Sequence, residues 1–91
     1  MTKRIHACIY GRVQGVGFRH FVRRIALGMD ISGFVRNTDD GAVEVTAEGE
    51  PRDLETLLDY LSEGPAYARV DRVEVSWQRP TDEYDGFEVR V

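Results

Sequence analysis

Two spacings of apolar residues alternate along the chain. A period of two, typical of strands with one buried face, is clear in residues 4–10, 42–48 and 69–77, and shorter strands are predicted at 31–37 and 87–91. Helical spacing covers 18–29, and a second helix begins with Pro51 in its first turn and ends at Gly64. Asp40-Gly41 predicts a hairpin turn between the second and third strands.

The predicted order is β-α-β-β-α-β, followed by a short extra strand. This is the ferredoxin-like split β-α-β plan of the α+β class, in which two helices cover one face of a mostly antiparallel sheet. No repeat or linker interrupts the sequence, so we expect one domain spanning residues 1–91. The open face of the sheet is predicted to be solvated and to carry Glu44, Thr46, Glu48, Arg72 and Glu74.

The charge of the chain is divided between its two ends. Residues 1–37 hold seven basic side chains and one acidic one, and residues 38–91 hold five and fifteen, so the net charges are +6 and −10. The basic part indicates an anionic partner, unless the two parts simply mix on the folded surface. The overall charge of −4 is not typical of a non-specific nucleic-acid binder. The single cysteine and the lack of a membrane span or signal peptide favour a cytoplasmic protein.

Glycine and basic charge coincide in GRVQGVGFR, residues 11–19, between the first strand and the first helix. Glycines here let several N–H groups point to one place, and the helix N-terminus adds partial positive charge. The Arg19 guanidinium suits a phosphate or a carboxylate. The loop lacks the Lys and Ser/Thr of a nucleotide P-loop and the acidic ribose contact of a dinucleotide loop. From these residues alone, an anion site and a tight structural turn both remain open.

The same loop, followed by GFVRNTDDGAVEV at 33–45, resembles the acylphosphatase family. The resemblance extends to the GEP start of the second helix, to EGPAYARVDRVEV and to FEVRV, and so covers nearly the whole chain. It implies a metal-independent hydrolase without a cofactor, which cleaves the carboxyl–phosphate anhydride of acyl phosphates to carboxylate and phosphate. The implied ligands are the acyl phosphate and the product phosphate. The charge and composition lead us to expect no nucleic acid and no membrane partner, and a monomer is the default for a domain of this size.

The resemblance also implies roles for individual residues. Arg19 matches the arginine that binds the phosphate, and Asn37 matches the asparagine that orients the attacking water. The rest of the phosphate cradle is matched by the loop amides of Gln14, Gly15, Val16, Gly17 and Phe18. Taken alone, Asn37 could instead cap the hairpin turn. His20 is expected at the surface, because one residue along a helix turns a side chain by about 100°, and Cys8 is expected in the core.

Two departures from the family pattern concern stability. Met29-Asp30 stands where the family has Leu-Gly, and Phe34 stands where it has Trp. We expect Asp30 to adopt a positive φ, so that Asp30→Gly would stabilise the fold by about 1 kcal/mol or less.

Two other functions are weighed against the enzyme. One is an anion- or RNA-binding ferredoxin-like module without catalysis, which the acidic open face disfavours. The other is a detached domain of a larger carbamoyl-phosphate enzyme. The sequence disfavours it, because the chain ends just after its last strand and has no zinc-type cysteine pairs.

Overall fold

Five strands and two helices follow the predicted order in the computed structural model, which describes residues 1–91. The elements are β1 (Lys3–Arg12), α1 (Phe18–Leu27), β2 (Ser32–Asn37), β3 (Val43–Gly49), α2 (Pro51–Glu63), β4 (Arg69–Gln78) and β5 (Phe87–Arg90). The strands form one sheet in the order β4-β1-β3-β2-β5. All neighbouring strands are antiparallel except β2 and β5, which are parallel. The predicted ferredoxin-like α+β fold with a short extra strand is confirmed.

Both helices pack on the same face of the sheet. The alternation in β1 places Ile5, Ala7 and Ile9 on that face, and none of the three retains exposed area. The helices cover them with the apolar stripes predicted from their spacing, which consist of Phe18, Val22 and Ala26 in α1 and Leu54, Leu57 and Leu61 in α2. Full burial of each large apolar side chain stabilises the fold by about 1.5–3 kcal/mol. This layer of side chains is the core on which the loop before α1 is mounted.

Neither helix has the length and apolar content that crossing a membrane requires.

Helix α1 ends two residues earlier than predicted, and the prediction of a positive φ at Asp30 was wrong. The amides of Gly28 and Met29 bond to carbonyls three residues back, each at 3.1 Å, and this tightens the last turn. Gly28 stays in the right-handed region with φ −81°. The one non-glycine residue with a positive φ is Asp82, at 57°. The chain therefore leaves α1 without a left-handed residue, and glycine has no conformational advantage at position 30.

The open face of the sheet is less solvated than predicted at one end. Thr46 and Glu48 are only 1% and 3% exposed. The segment that joins β4 to β5 bonds to this end of the face, because the Glu48 carboxylate accepts hydrogen bonds from the amides of Thr81 at 2.8 Å and Asp82 at 3.0 Å. Period-two alternation identified the correct face of β3, but it could not show that a distant segment covers part of it.

Candidate active site

The loop at residues 13–17 joins the end of β1 to the start of α1, and two glycines set its shape. Gly15 has φ 75° and Gly17 has φ 80°, both in the left-handed region that side chains disfavour. Gly17 is also the N-cap of α1, and no side chain caps the helix there. The loop is fixed at both ends, because Val13 and Phe18 are 1% and 2% exposed. Two buried anchors and two left-handed glycines thus set the bend of the backbone between β1 and α1.

The amides of this loop are unpaired. None of the backbone N–H groups from Gln14 to His20 donates to another backbone group, and the first such bond in the helix runs from Phe21 to Gly17 at 3.1 Å. No acidic side chain lies in the first turn of α1. Unpaired N–H groups and the partial positive charge of a helix N-terminus together form an anion-binding concavity.

Arg19 lies in the first turn of α1 and is half-buried. Its Nη1 donates a hydrogen bond to the main-chain oxygen of Arg90 at 3.3 Å. The last strand of the sheet therefore helps to direct this guanidinium, and no carboxylate neutralises it.

Asn37 is the last residue of β2, opposite Val43 of β3. Its side-chain oxygen Oδ1 is buried and has no hydrogen-bond partner. A buried acceptor without a partner costs about 1–3 kcal/mol, so such a group often has a functional reason. The alternative role weighed for Asn37, a cap on the hairpin turn, would use this oxygen, and no such bond is present.

Arg19 and Asn37 line one cavity although 18 positions separate them in the sequence. The cavity has a volume of about 200 Å³ and is lined by Val13, Gly15, Gly17, Phe18, Arg19, His20 and Asn37. Among the residues proposed from sequence, Gln14 and Val16 do not line it. His20 is exposed as expected, yet it also lies along the cavity wall.

A larger cavity of about 370 Å³ lies elsewhere on the molecule. Its lining includes the carboxylates of Asp30, Glu48, Glu50 and Asp82. So much negative charge is unfavourable for a phosphate, and the smaller cavity with unpaired amides and an arginine is the better anion site.

The side chain of Gln14 turns away from the cavity. Its Nε2 donates hydrogen bonds to the main-chain oxygens of Thr38 at 2.8 Å and Ala42 at 2.9 Å. Both oxygens belong to the turn between β2 and β3, so this side chain joins the loop to that turn. The prediction from sequence placed the main-chain amide of Gln14 in the cradle, and no local sequence pattern indicates these side-chain contacts.

Arg36, the neighbour of Asn37, points to the opposite face of the sheet. There it pairs with the Glu44 carboxylate, which also lies 2.6 Å from the Nε2 of His6. Burial raises the pKa of Glu44, but the hydrogen bonds with His6 and Arg36 outweigh it and hold this pKa below its usual value. The charge of Arg36 is thus balanced locally by Glu44, on the face away from the cavity.

The open face also carries aromatic rings, and each is covered by an arginine. The Arg72 guanidinium lies 4.1 Å from the Tyr10 ring centre, and that of Arg90 lies 4.0 Å from the Phe34 ring centre.

Cys8 is on the open face of the sheet and half-buried, so its predicted place in the core was wrong. The period-two alternation that buries its neighbours in β1 turns Cys8 the other way. Burial, with Glu44 nearby, raises the pKa of this thiol, so it stays protonated at neutral pH.

Comparison with known proteins identifies the family of the chain. The acylphosphatase family model matches residues 5–89, so the chain belongs to the acylphosphatase family. The acylphosphatase of Salinibacter ruber is 51% identical over 88 residues, which covers 97% of this chain and 93% of that protein. The chain is accordingly a hydrolase of acyl phosphates, as the sequence resemblance implied.

Solved structures give the same result. The crystal structure of acylphosphatase from Bacillus subtilis superposes with a TM-score of 0.94 at 33% identity, and the match covers 100% of both chains. Full-length HypF, in a phosphate- and nucleotide-bound form, contains a similar region with a TM-score of 0.88 at 29% identity. That match covers 100% of this chain but 12% of HypF. The fold therefore occurs both as a small enzyme and within a larger protein.

Proposed function

We propose that the cavity between the loop and Asn37 binds the phosphoryl group of an acyl phosphate and delivers a water molecule to it. One observation carries this proposal. Asn37, whose buried Oδ1 has no hydrogen-bond partner, lines the same cavity as Arg19, next to a loop whose amides are unpaired. The loop amides and Arg19 can donate hydrogen bonds to the phosphoryl oxygens, and the side-chain oxygen of Asn37 can accept a hydrogen bond from a water molecule.

In the proposed ground state, the phosphoryl oxygens accept hydrogen bonds from the amides of the loop and of the first turn of α1. The run Gln14–Phe18 supplies these donors together with Arg19 and His20. The Arg19 guanidinium adds a charged, planar pair of donors. Because these groups are fixed by the fold before the ligand arrives, they stabilise the charge that develops on the phosphoryl oxygens without rearranging.

In the chemical step, the oxygen of a water held by Asn37 attacks phosphorus in line with the bond to the acyl oxygen. The new P–O bond forms as the old one breaks, and the electron pair of the old bond leaves on the carboxylate. The water proton passes to solvent or to a phosphate oxygen. A carboxylate is a good leaving group and the transition state is loose, so positioning and charge stabilisation suffice without a strong general base.

Arg19→Ala and Asn37→Ala separate the two roles. With benzoyl phosphate as substrate and inorganic phosphate as competitive ligand, we expect Arg19→Ala to lose both phosphate binding and turnover. Asn37→Ala is expected to bind phosphate within about threefold of wild type and to lose about 10²–10³-fold in kcat. Asn37→Asp, with the same shape, is the matched variant and is expected to weaken phosphate binding because it adds negative charge. Equal loss of phosphate affinity in Arg19→Ala and Asn37→Ala would contradict the separate roles.

We also propose that the enzyme acts as a monomer, since the loop, Arg19 and Asn37 that form the cavity all belong to one chain. Light scattering at the concentration of the kinetic assay tests this, with a mass of about 10 kDa expected from the 10.4 kDa chain. Activity that appears only in a larger species would contradict it.

A further inference from the structure

Gln14 is bound to the part of the chain that carries Asn37. Both protons of its side-chain amide are used, because Nε2 donates to the Thr38 oxygen at 2.8 Å and to the Ala42 oxygen at 2.9 Å. Thr38 directly follows Asn37 in the sequence. The side-chain amide of Gln14 therefore connects the loop to Thr38, the residue next to Asn37.

The turn that receives these hydrogen bonds is itself closed. The Thr38 amide donates to the Ala42 oxygen at 2.9 Å, and the Ala42 amide donates to the Thr38 hydroxyl at 3.0 Å. The same hydroxyl also bonds to the Asp40 carboxylate. A closed turn of this kind moves as one body, so a side chain bonded to both of its ends sets the position of the whole turn.

The sheet supplies no direct bond between the loop and Asn37. The loop follows β1 and Asn37 ends β2, and these strands are not neighbours, because β3 lies between them. No backbone hydrogen bond joins residues 13–17 to the turn at 38–42. The two hydrogen bonds of Gln14 are the direct polar connection between the phosphate-binding loop and the end of β2.

We propose that Gln14 is a positioning residue, which holds Asn37 at a fixed distance from the phosphate-binding loop. This inference rests on the proposed function, in which Asn37 places the attacking water and the loop places the phosphorus. A displacement of about 1 Å between reacting groups costs up to about 100-fold in rate. The side chain of Gln14 thus acts on turnover through Asn37, whereas only its main-chain amide belongs to the phosphate-binding loop.

The test is the double-mutant cycle of Gln14→Met with Asn37→Ala. Methionine has a similar length and shape but donates no hydrogen bond. In the wild-type background we expect Gln14→Met to lower kcat for benzoyl phosphate by about 10- to 100-fold. We expect the inhibition constant of inorganic phosphate to stay within about threefold. In the Asn37→Ala background we expect no further loss of kcat, because the group that Gln14 positions is already absent.

Gln78→Met is the matched control. Gln78 is the second glutamine of the chain, lies on the exposed edge strand β4 and makes one long contact, 3.5 Å to the Ser76 hydroxyl. Its substitution is expected to leave kcat and phosphate affinity unchanged.

If Gln14→Met does not fold, Gln14→Asn takes its place. Its amide is one methylene shorter and reaches only one of the two carbonyls, so the same pattern is expected with a smaller loss.

A kcat in Gln14→Met equal to that of wild type overturns the positioning role. Two further results also overturn it and leave the proposed function standing. One is a loss of phosphate affinity in Gln14→Met in proportion to kcat, which indicates general damage to the loop. The other is a loss of kcat that simply adds to that of Asn37→Ala. By contrast, if the single variant Asn37→Ala has the same kcat as wild type, the proposed function itself is contradicted.

Discussion

Glu48 is the buried carboxylate on which the segment between β4 and β5 depends. Its two oxygens accept hydrogen bonds from the Thr81 amide at 2.8 Å, the Asp82 amide at 3.0 Å, the Thr81 hydroxyl at 3.1 Å and the Arg4 guanidinium at 3.4 Å. This segment leads into β5, whose Arg90 oxygen holds Arg19. The perturbation that tests the arrangement is Glu48→Gln, which keeps the shape and removes the charge.

The size of the effect follows from the donors. A glutamine keeps one oxygen, so one of the two amides of the segment faces an NH₂ group and loses its partner. A buried donor without a partner costs about 1–3 kcal/mol, and the weakened bond to Arg4 adds to this. We expect the free energy of unfolding at pH 7 to fall by about 2–3 kcal/mol, which is a large part of the total of about 5–15 kcal/mol for a typical domain.

The effect should also depend on pH. Burial raises the pKa of Glu48, but the hydrogen bonds from Thr81 and Asp82 and the charge of Arg4 outweigh it, and the folded-state pKa lies below the usual value. The unfolded chain, with a glutamate pKa of about 4.3, therefore binds the proton more readily. The stabilisation is fully present above that pKa and is lost as the pH falls through the folded-state pKa. The difference in unfolding free energy between wild type and Glu48→Gln should therefore decrease as the pH falls through this range.

Urea unfolding between pH 7 and pH 3 measures this gap. The matched control is Glu50→Gln, since Glu50 lies two residues away and pairs with the N-terminal amine at 2.8 Å, where both groups are exposed. An exposed ion pair contributes about 0–1 kcal/mol, so this control should differ little from wild type. A Glu48→Gln protein as stable as Glu50→Gln at pH 7, or a difference in unfolding free energy that stays constant down to pH 3, would contradict this role of Glu48.

Two further substitutions address backbone conformation. Asp30→Gly should destabilise the fold by about 0.5–1 kcal/mol, because residue 30 has no positive φ and glycine only adds freedom to the unfolded chain; greater stability in urea would restore the sequence-based prediction. Gly17→Ala should still fold, since a Cβ there meets no atom within 4 Å, but the left-handed φ of 80° should cost about 1–2 kcal/mol in urea unfolding. It should also weaken phosphate binding, measured by inhibition of benzoyl phosphate hydrolysis, and unchanged affinity would show that the loop does not need this conformation.

The elements of the fold could be predicted from the sequence because each has a local signal. The alternation of Ile5, Ala7 and Ile9 defines the buried face of β1, and Pro51 marks the start of α2. The error at the end of α1 lies where a second local solution was available. The last turn of α1 closes through bonds to carbonyls three residues back, and no property of Asp30 alone distinguishes that ending from a left-handed one.

For the candidate site, the sequence predicted the residues that stand in the two motif segments but not the contacts that position them. Arg19 and Asn37 stand in recognisable segments, and the structure brings them to one cavity. The contacts that position them join distant parts of the chain. Arg19 and Arg90 are 71 residues apart, and Gln14 lies 24 residues before Thr38. Such pairs are set by the order of strands in the sheet, and a single sequence has no local pattern that specifies them.

The most direct test of the proposed catalytic site is the hydrolysis of benzoyl phosphate by the purified protein in excess chelator, with Arg19→Ala measured beside it. We expect metal-independent turnover by the wild type. We expect that Arg19→Ala, although folded, loses nearly all turnover and no longer binds inorganic phosphate. Undiminished turnover by Arg19→Ala, or a folded wild type that binds phosphate and does not hydrolyse the substrate, would contradict the assignment of this cavity as the catalytic site.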